Sequence, residues 1–179
     1  MPTQKTLLLK CFFLSGIFLL NHVYAQKLNY KIDHYGTERG LSQGSVFAML
    51  KDSRGTMWFG TQDGLNKWDG ESFTVFRPSE KKKNSIDGIE IKKIIEDENG
   101  DLWIGTESAL NRYSYTSSNF SKYVIRDQQG RIAKSEVFPI KAMNGMVWYW
   151  SALEGLVKLN VKTGHKQLVL PNQSFKTSY

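Results

Sequence analysis

The chain has 179 residues, a formal net charge of +7 and a 40% hydrophobic share. That length can bury one core of its own. With Cys11 as the single cysteine, a disulfide framework and a multi-thiolate metal site are excluded. Residues 1–25 read as a secretory signal peptide: Lys5 and Lys10 give a basic start, an apolar run covers 11–20, and Val23-Tyr24-Ala25 offers small residues for cleavage before Gln26. The rival reading is an uncleaved anchor helix. Against it, the apolar stretch is broken by Lys10 and falls short of the ~20 residues a spanning helix needs. Lys10 directly before Cys11, with the apolar run after it, also argues against a lipoprotein cysteine. Cleavage after Ala25 would lower the charge to +5 and leave no thiol, in keeping with an exported, periplasmic protein.

Residues 28–35 read as a lone outer strand leading to Gly40-Leu41-Ser42. Three four-strand units follow, at about 45–76, 89–125 and 136–170, ahead of a polar tail at 171–179. In each, a short β-branched run (46–50, 91–95, 137–140) precedes a turn, Asp52-Ser53-Arg54-Gly55, Asp97-Glu98-Asn99-Gly100 or Asn144-Gly145. Glycine accepts the positive φ that such hairpin turns require. The second strand carries Trp58, Trp103 or Trp148, spaced 45 residues apart both times. The third runs over 65–68, 110–113 or 156–159, and the fourth over 73–76, 120–124 or 165–170. No segment shows the apolar spacing of a helix. Repetition of four short antiparallel strands at this period predicts an all-β fold of propeller blades. Lys81-Lys82-Lys83, in the linker between the first two units, reads as a solvated run. The 17 acidic residues are mixed with the basic ones, so no nucleic-acid-binding face is expected.

Trp58, Trp103 and Trp148 are expected to pack between adjacent blades, because a large ring buries much apolar area at such a contact. Gly60 and Gly105 are expected to admit a close neighbouring backbone. A sugar-stacking or cofactor role for the tryptophans is the sharper alternative. Three blades and an orphan strand fall short of the four to eight blades of closed propellers. Two readings follow: an N-terminal fragment of a longer protein, including a truncated gene product, or self-association that completes a ring.

Chemical motifs are sparse. His34 and His165 stand in different strands, and zinc needs three or four converging ligands. Residues 97–101 lack the spaced acids and closing Glu of a calcium loop and read as a hairpin. No metal, cofactor or catalytic residue is expected. Binding is expected from rim loops, which offer Arg39, Gln43, Gln62, Asp63, Asp87, Glu107 and Glu154. These polar groups could hydrogen-bond sugar hydroxyls or simply be solvated. Trp150 stands where the other copies have glycine, as gap filler or as a stacking surface.

Gly40-Leu41-Ser42, then Asp52, Gly55, Trp58-Phe59-Gly60-Thr61 and Gly64-Leu65-Asn66-Lys67, form a pattern that resembles the two-component regulator propeller repeat. The second copy departs at Ala109, and the third replaces Trp-x-Gly-Thr with Trp148-Tyr149-Trp150-Ser151. The resemblance implies the periplasmic sensor of Bacteroidetes hybrid histidine kinases. In those proteins two seven-bladed propellers and a β-sandwich precede a membrane helix and a kinase, and many members detect oligosaccharides. Kinase activity is not expected of these 179 residues. The alternatives are a structural or protein-interaction propeller fragment, and a non-functional truncation.

Overall fold

The computed structural model describes residues 32–127 and 129–172. The expected signal peptide, residues 28–31 of the expected first strand, and 173–179 of the tail lie outside the described residues. Described residues 32–36 form no ladder, and Thr37–Arg39 make a single 3₁₀ turn. Gly40 follows in the left-handed region at φ 100°, and Tyr35 meets Trp68 edge-on at 4.9 Å.

Among the described residues, thirteen strands form three antiparallel sheets, each in chain order. The first contains β1 (Val46–Lys51), β2 (Met57–Thr61), β3 (Gly64–Trp68) and β4 (Phe73–Phe76). The second contains β5 (Ile91–Glu96), β6 (Leu102–Thr106), β7 (Ala109–Ser114), β8 (Asn119–Arg126) and the short β9 (Ile132–Ala133). The third contains β10 (Val137–Met143), β11 (Met146–Ser151), β12 (Gly155–Asn160) and β13 (Lys166–Pro171). The first strands β1, β5 and β10 neighbour one another in turn, the arrangement of propeller blades around an axis. The sheets do not close into a ring among the described residues.

The repeated turns explain why these segments fold as hairpins. Asp52 Oδ1 accepts the backbone N–H of Arg54 and Thr56 at 3.0 and 2.9 Å, and Asp97 Oδ1 does the same for Asn99 and Asp101. Each aspartate thus supplies local acceptors for backbone donors that the turn removes from the ladder. Asn144 and Gly145 both have positive φ, 53° and 69°, which is the two-residue turn suited to strand twist. Asp127 repeats the aspartate pattern with Gln129 and Arg131 and folds β9 back onto β8.

Two cores lie between successive sheets. Trp58, Leu65 and Phe76 of the first sheet pack with Ile91, Ile94, Leu102, Ile104 and Tyr113 of the second. Trp103, Leu110 and Ile125 of the second pack with Val137, Val147, Tyr149 and Val157 of the third. Trp58 and Trp103 are fully buried, a position whose truncation to alanine costs about 3–5 kcal/mol. The two glycines differ in what they admit: neighbouring backbone at Gly105, a side chain at Gly60. A Cβ on Gly60 would meet the Ile91 side chain, and one on Gly105 would meet the Val137 carbonyl and the Pro139 ring.

The third sheet differs. Trp148 holds the same register position as Trp58 and Trp103, opposite Lys158 where they face Lys67 and Arg112. It is only half-buried, because no described sheet covers its face. Trp150 occupies the rung of Gly60 and Gly105, pairs with Phe138 and Leu156, and its ring lies 5.8 Å from that of Phe138. The first-strand irregularity, at 46–48 and 91–93 beside those glycines, falls at 139–141 in β10, two rungs nearer the hairpin.

Candidate functional site

Strand alternation puts the β2–β3, β6–β7 and β11–β12 turns on one rim with the segments that enter β1, β5 and β10. Gln43, Gln62, Asp63, Asp87, Glu107 and Glu154 all fall in those turns and segments. Two built-in frames shape this rim. Asn66 accepts the backbone N–H of Ser42 at 2.9 Å and donates to the Ser42 hydroxyl at 2.8 Å. Asn111 likewise accepts the Asp87 N–H at 2.8 Å and donates to the Asp87 carbonyl at 2.9 Å. Thr61 and Thr106 sit beneath, bonding the Gly64 and Ala109 carbonyls. Threonine and asparagine of the repeat thus anchor each incoming segment to its own blade, through fully buried side chains.

Most of the candidate binding residues are committed within their own blades. Asp63 accepts from Arg77 Nη2 at 2.7 Å and from Nε at 3.1 Å, and the Arg77 hydrogen bonds hold its carboxyl below the usual range. Asp87 accepts from the Ser108 hydroxyl at 3.0 Å and faces Lys122 Nζ at 3.8 Å. Glu107 accepts the backbone N–H of Ile89 and Glu90 at 3.1 and 2.9 Å, bracing the entry to β5. Glu154 accepts from the Tyr149 phenol and from Lys166 Nζ, both at 2.7 Å. Burial first, and then Glu154, push the Tyr149 phenol far above its ordinary range. Gln43 accepts the Ser45 N–H at 2.5 Å, Arg39 lies 4.9 Å over the Tyr35 ring, and Gln62 is exposed. The structure brings Asp87 and Glu107 to one corner of the second blade, while the others stand at separate blades.

Concavities flank this rim. Glu154, Lys166, Arg126 and Asp127 line an open pocket of about 400 Å³ beside the third sheet, and Asp87 and Lys122 line another of about 400 Å³. The chemistry offered is hydrogen bonding and charge pairing. No group of three or more His, Cys, Asp or Glu able to hold a metal occurs among the described residues.

One polar cluster had no counterpart in the sequence reading. Asp52 Oδ2 accepts from Trp58 Nε1 at 2.8 Å and also from the Tyr115 hydroxyl of the next blade. Burial alone would raise the Asp52 carboxyl, but hydrogen bonds from Tyr115, Trp58 and two backbone N–H groups outweigh it and hold it low. Arg54 lies 4.0 Å over the Tyr115 ring and donates to the Gly100 carbonyl at 2.9 Å. Asp97 repeats the bond to Trp103 Nε1 at 2.9 Å. The legible signal was an aspartate six residues ahead of each of these tryptophans; Trp148 has Ala142 there.

Parts of the chain are similar to known proteins. Residues 40–63 and 85–108 match the family described as two component regulator propeller. A 69-residue stretch, 38% of the chain, is 39% identical to Histidine kinase P4 of Formosa agariphila, of which it covers 5%. Among solved structures, the chain resembles the extracellular domain of a B. thetaiotaomicron protein described as a hybrid two component system, BT3049. That likeness has a TM-score of 0.65 and 29% identity, over 77% of this chain and 20% of the other. A second such domain, BT4673 of the same organism, matches with a TM-score of 0.54 and 25% identity, over 65% of this chain and 16% of the other. The chain therefore spans a fifth or less of the length of these relatives. Two copies on successive blades, each with a buried Trp and Thr, are thus similar to the two component regulator propeller repeat.

Proposed function

We propose that the chain is an exported, ligand-sensing propeller segment that detects oligosaccharides on the outer side of the membrane and feeds a signalling protein. The observation that carries this reading is its likeness, at 29% identity over 77% of its length, to an extracellular domain of a hybrid two component system. The rim supports it further, since carboxylates, amides and hydroxyls there match the donors and acceptors of sugars. The charged start and apolar run of residues 1–25 support export. Self-association or additional blades would be the partners of its uncovered sheet faces.

A panel of oligosaccharides tested by thermal shift on the full chain addresses the ligand. A ligand at about 100 times its Kd stabilises by ~2.7 kcal/mol. For a domain of this size that is a rise of roughly 5–10 °C. A flat response across neutral and acidic sugars would refute the saccharide reading. Export is tested separately: the intact mass of protein recovered from the periplasm should begin at Gln26, and a cytoplasmic, full-length product would refute it.

A further inference from the structure

An open groove of about 660 Å³ runs outside the first two blades, between β4, the linker after it and the start of β8. Its volume falls within the roughly 300–1,000 Å³ of small-molecule sites. Arg77, Lys82 and Lys83 line it, and no acidic residue does. Two lysines of the run that reads as a solvated loop, Lys82 and Lys83, are therefore gathered on one concave surface with Arg77. The linker is also tied down. The Ser85 hydroxyl donates to the Ser79 carbonyl and accepts its N–H, both at 3.1 Å. The Ser85 N–H closes a turn onto the Lys82 carbonyl at 3.0 Å, and the Phe120 N–H bonds the Asn84 carbonyl at 3.1 Å. Ile86, fully buried, plugs the linker into the core between the first two sheets.

Like charges held along one groove repel one another, and that repulsion is relieved when an anion enters. Asp63 already neutralises Arg77 in part through Nε and Nη2, so Lys82 and Lys83 supply the net positive charge. Asn84 and Asn119 add amide donors and acceptors beside them, and the half-buried Phe76 contributes an apolar wall. Cations beside amides and an aromatic wall suit an acidic sugar better than a neutral one or a bare phosphate. We propose that this groove binds an acidic oligosaccharide, one bearing a carboxylate or a sulfate. The proposal rests on the saccharide-sensing reading above and adds the charge class and the place.

The test is calorimetric titration of the full chain with trigalacturonate and with a sulfated carrageenan tetrasaccharide. Each is set against its neutral counterpart, the methyl ester and the desulfated sugar. At least one acidic probe should bind about tenfold more tightly than its neutral form. That preference should shrink between 50 and 500 mM salt and disappear in the double variant Lys82→Ser, Lys83→Ser, whose side chains are exposed and leave the fold intact. Equal binding of acidic and neutral forms overturns the inference while the saccharide reading stands. So does binding of neutral sugars alone. Preference retained in the double variant removes the groove as its source, and absence of binding by any sugar refutes both readings.

Discussion

Replacing Gly105 by alanine tests whether the blades are held apart by the bare backbone at that rung. An alanine Cβ there would lie 2.7 Å from both the Pro139 Cδ and the Val137 carbonyl carbon, and nearer still to the carbonyl oxygen. Optimal carbon contacts are about 3.5–4.0 Å, so β10 would have to retreat by roughly 1 Å. The obstacle is main chain and a proline ring, neither of which can rotate away. Overpacking of this kind costs typically ~1–3 kcal/mol and sometimes more. The smaller unfolded-state gain of Gly→Ala, about 0.4–1 kcal/mol, offsets little of it. We expect a loss of about 3 kcal/mol for Gly105→Ala. Gly60→Ala should lose less, about 1–2 kcal/mol, because the nearest atoms to its Cβ would be side-chain carbons, Ile91 Cγ2 at 2.5 Å and Cβ at 2.7 Å, rather than a carbonyl and a proline ring. Urea unfolding of both variants and the parent chain, followed by tryptophan fluorescence, measures the order. A Gly105→Ala variant within 0.5 kcal/mol of the parent, or more stable than Gly60→Ala, would refute the close-approach reasoning.

Three further outcomes follow from the charges. Asp52 has a depressed carboxyl value in the fold, so its stabilisation is full above about pH 4, the unfolded value, and fades as pH falls below it. Asp52→Asn should cost about 1–3 kcal/mol at pH 7 and progressively less toward pH 2, seen as converging melting temperatures; a constant gap would refute this. Burial first, and the Asp52 bond second, push the Tyr115 phenol up to about 12. Because that value is raised, its stabilisation holds below pH 10 and is lost as pH climbs through 12, and absorbance at 295 nm should lose one late-titrating tyrosine in Tyr115→Phe. The Asp63–Arg77 pair, with side chains 40% and 45% exposed, should contribute under about 1 kcal/mol, so Asp63→Asn should barely shift the urea midpoint in high salt.

The strands were legible because their signals are local. Asp-x-x-Gly turns, short β-branched runs and a 45-residue period each act within one hairpin. The same signal at Asp127 and Gly130 announced β9 and went unread, since it lies outside the period. The candidate site was less legible. Asp63, Asp87, Glu107 and Glu154 are loop acids in the sequence, and nothing local reveals that Arg77, Ser108, the β5 entry and Tyr149 engage them. The bond between Asp52 and Tyr115 joins residues 63 positions apart and depends on how one blade leans on the next. Lys82 and Lys83 face a shared groove only because Ser79, Ser85 and Phe120 fasten their linker.

Trp150 carries a consequence for molecular selectivity. The inner strands of the second and third blades each come to rest against a naked α-carbon, at Gly60 and Gly105. At the corresponding rung of the third sheet stands the half-buried Trp150, its ring 5.8 Å from that of Phe138. A sheet shaped like the second or third blade would collide with it. Only a surface with a pit to receive the ring, or a wider stand-off than the usual ~10 Å between stacked sheets, can cover that face. A sheet laid on that face would therefore need a relief different from that of the blades before it.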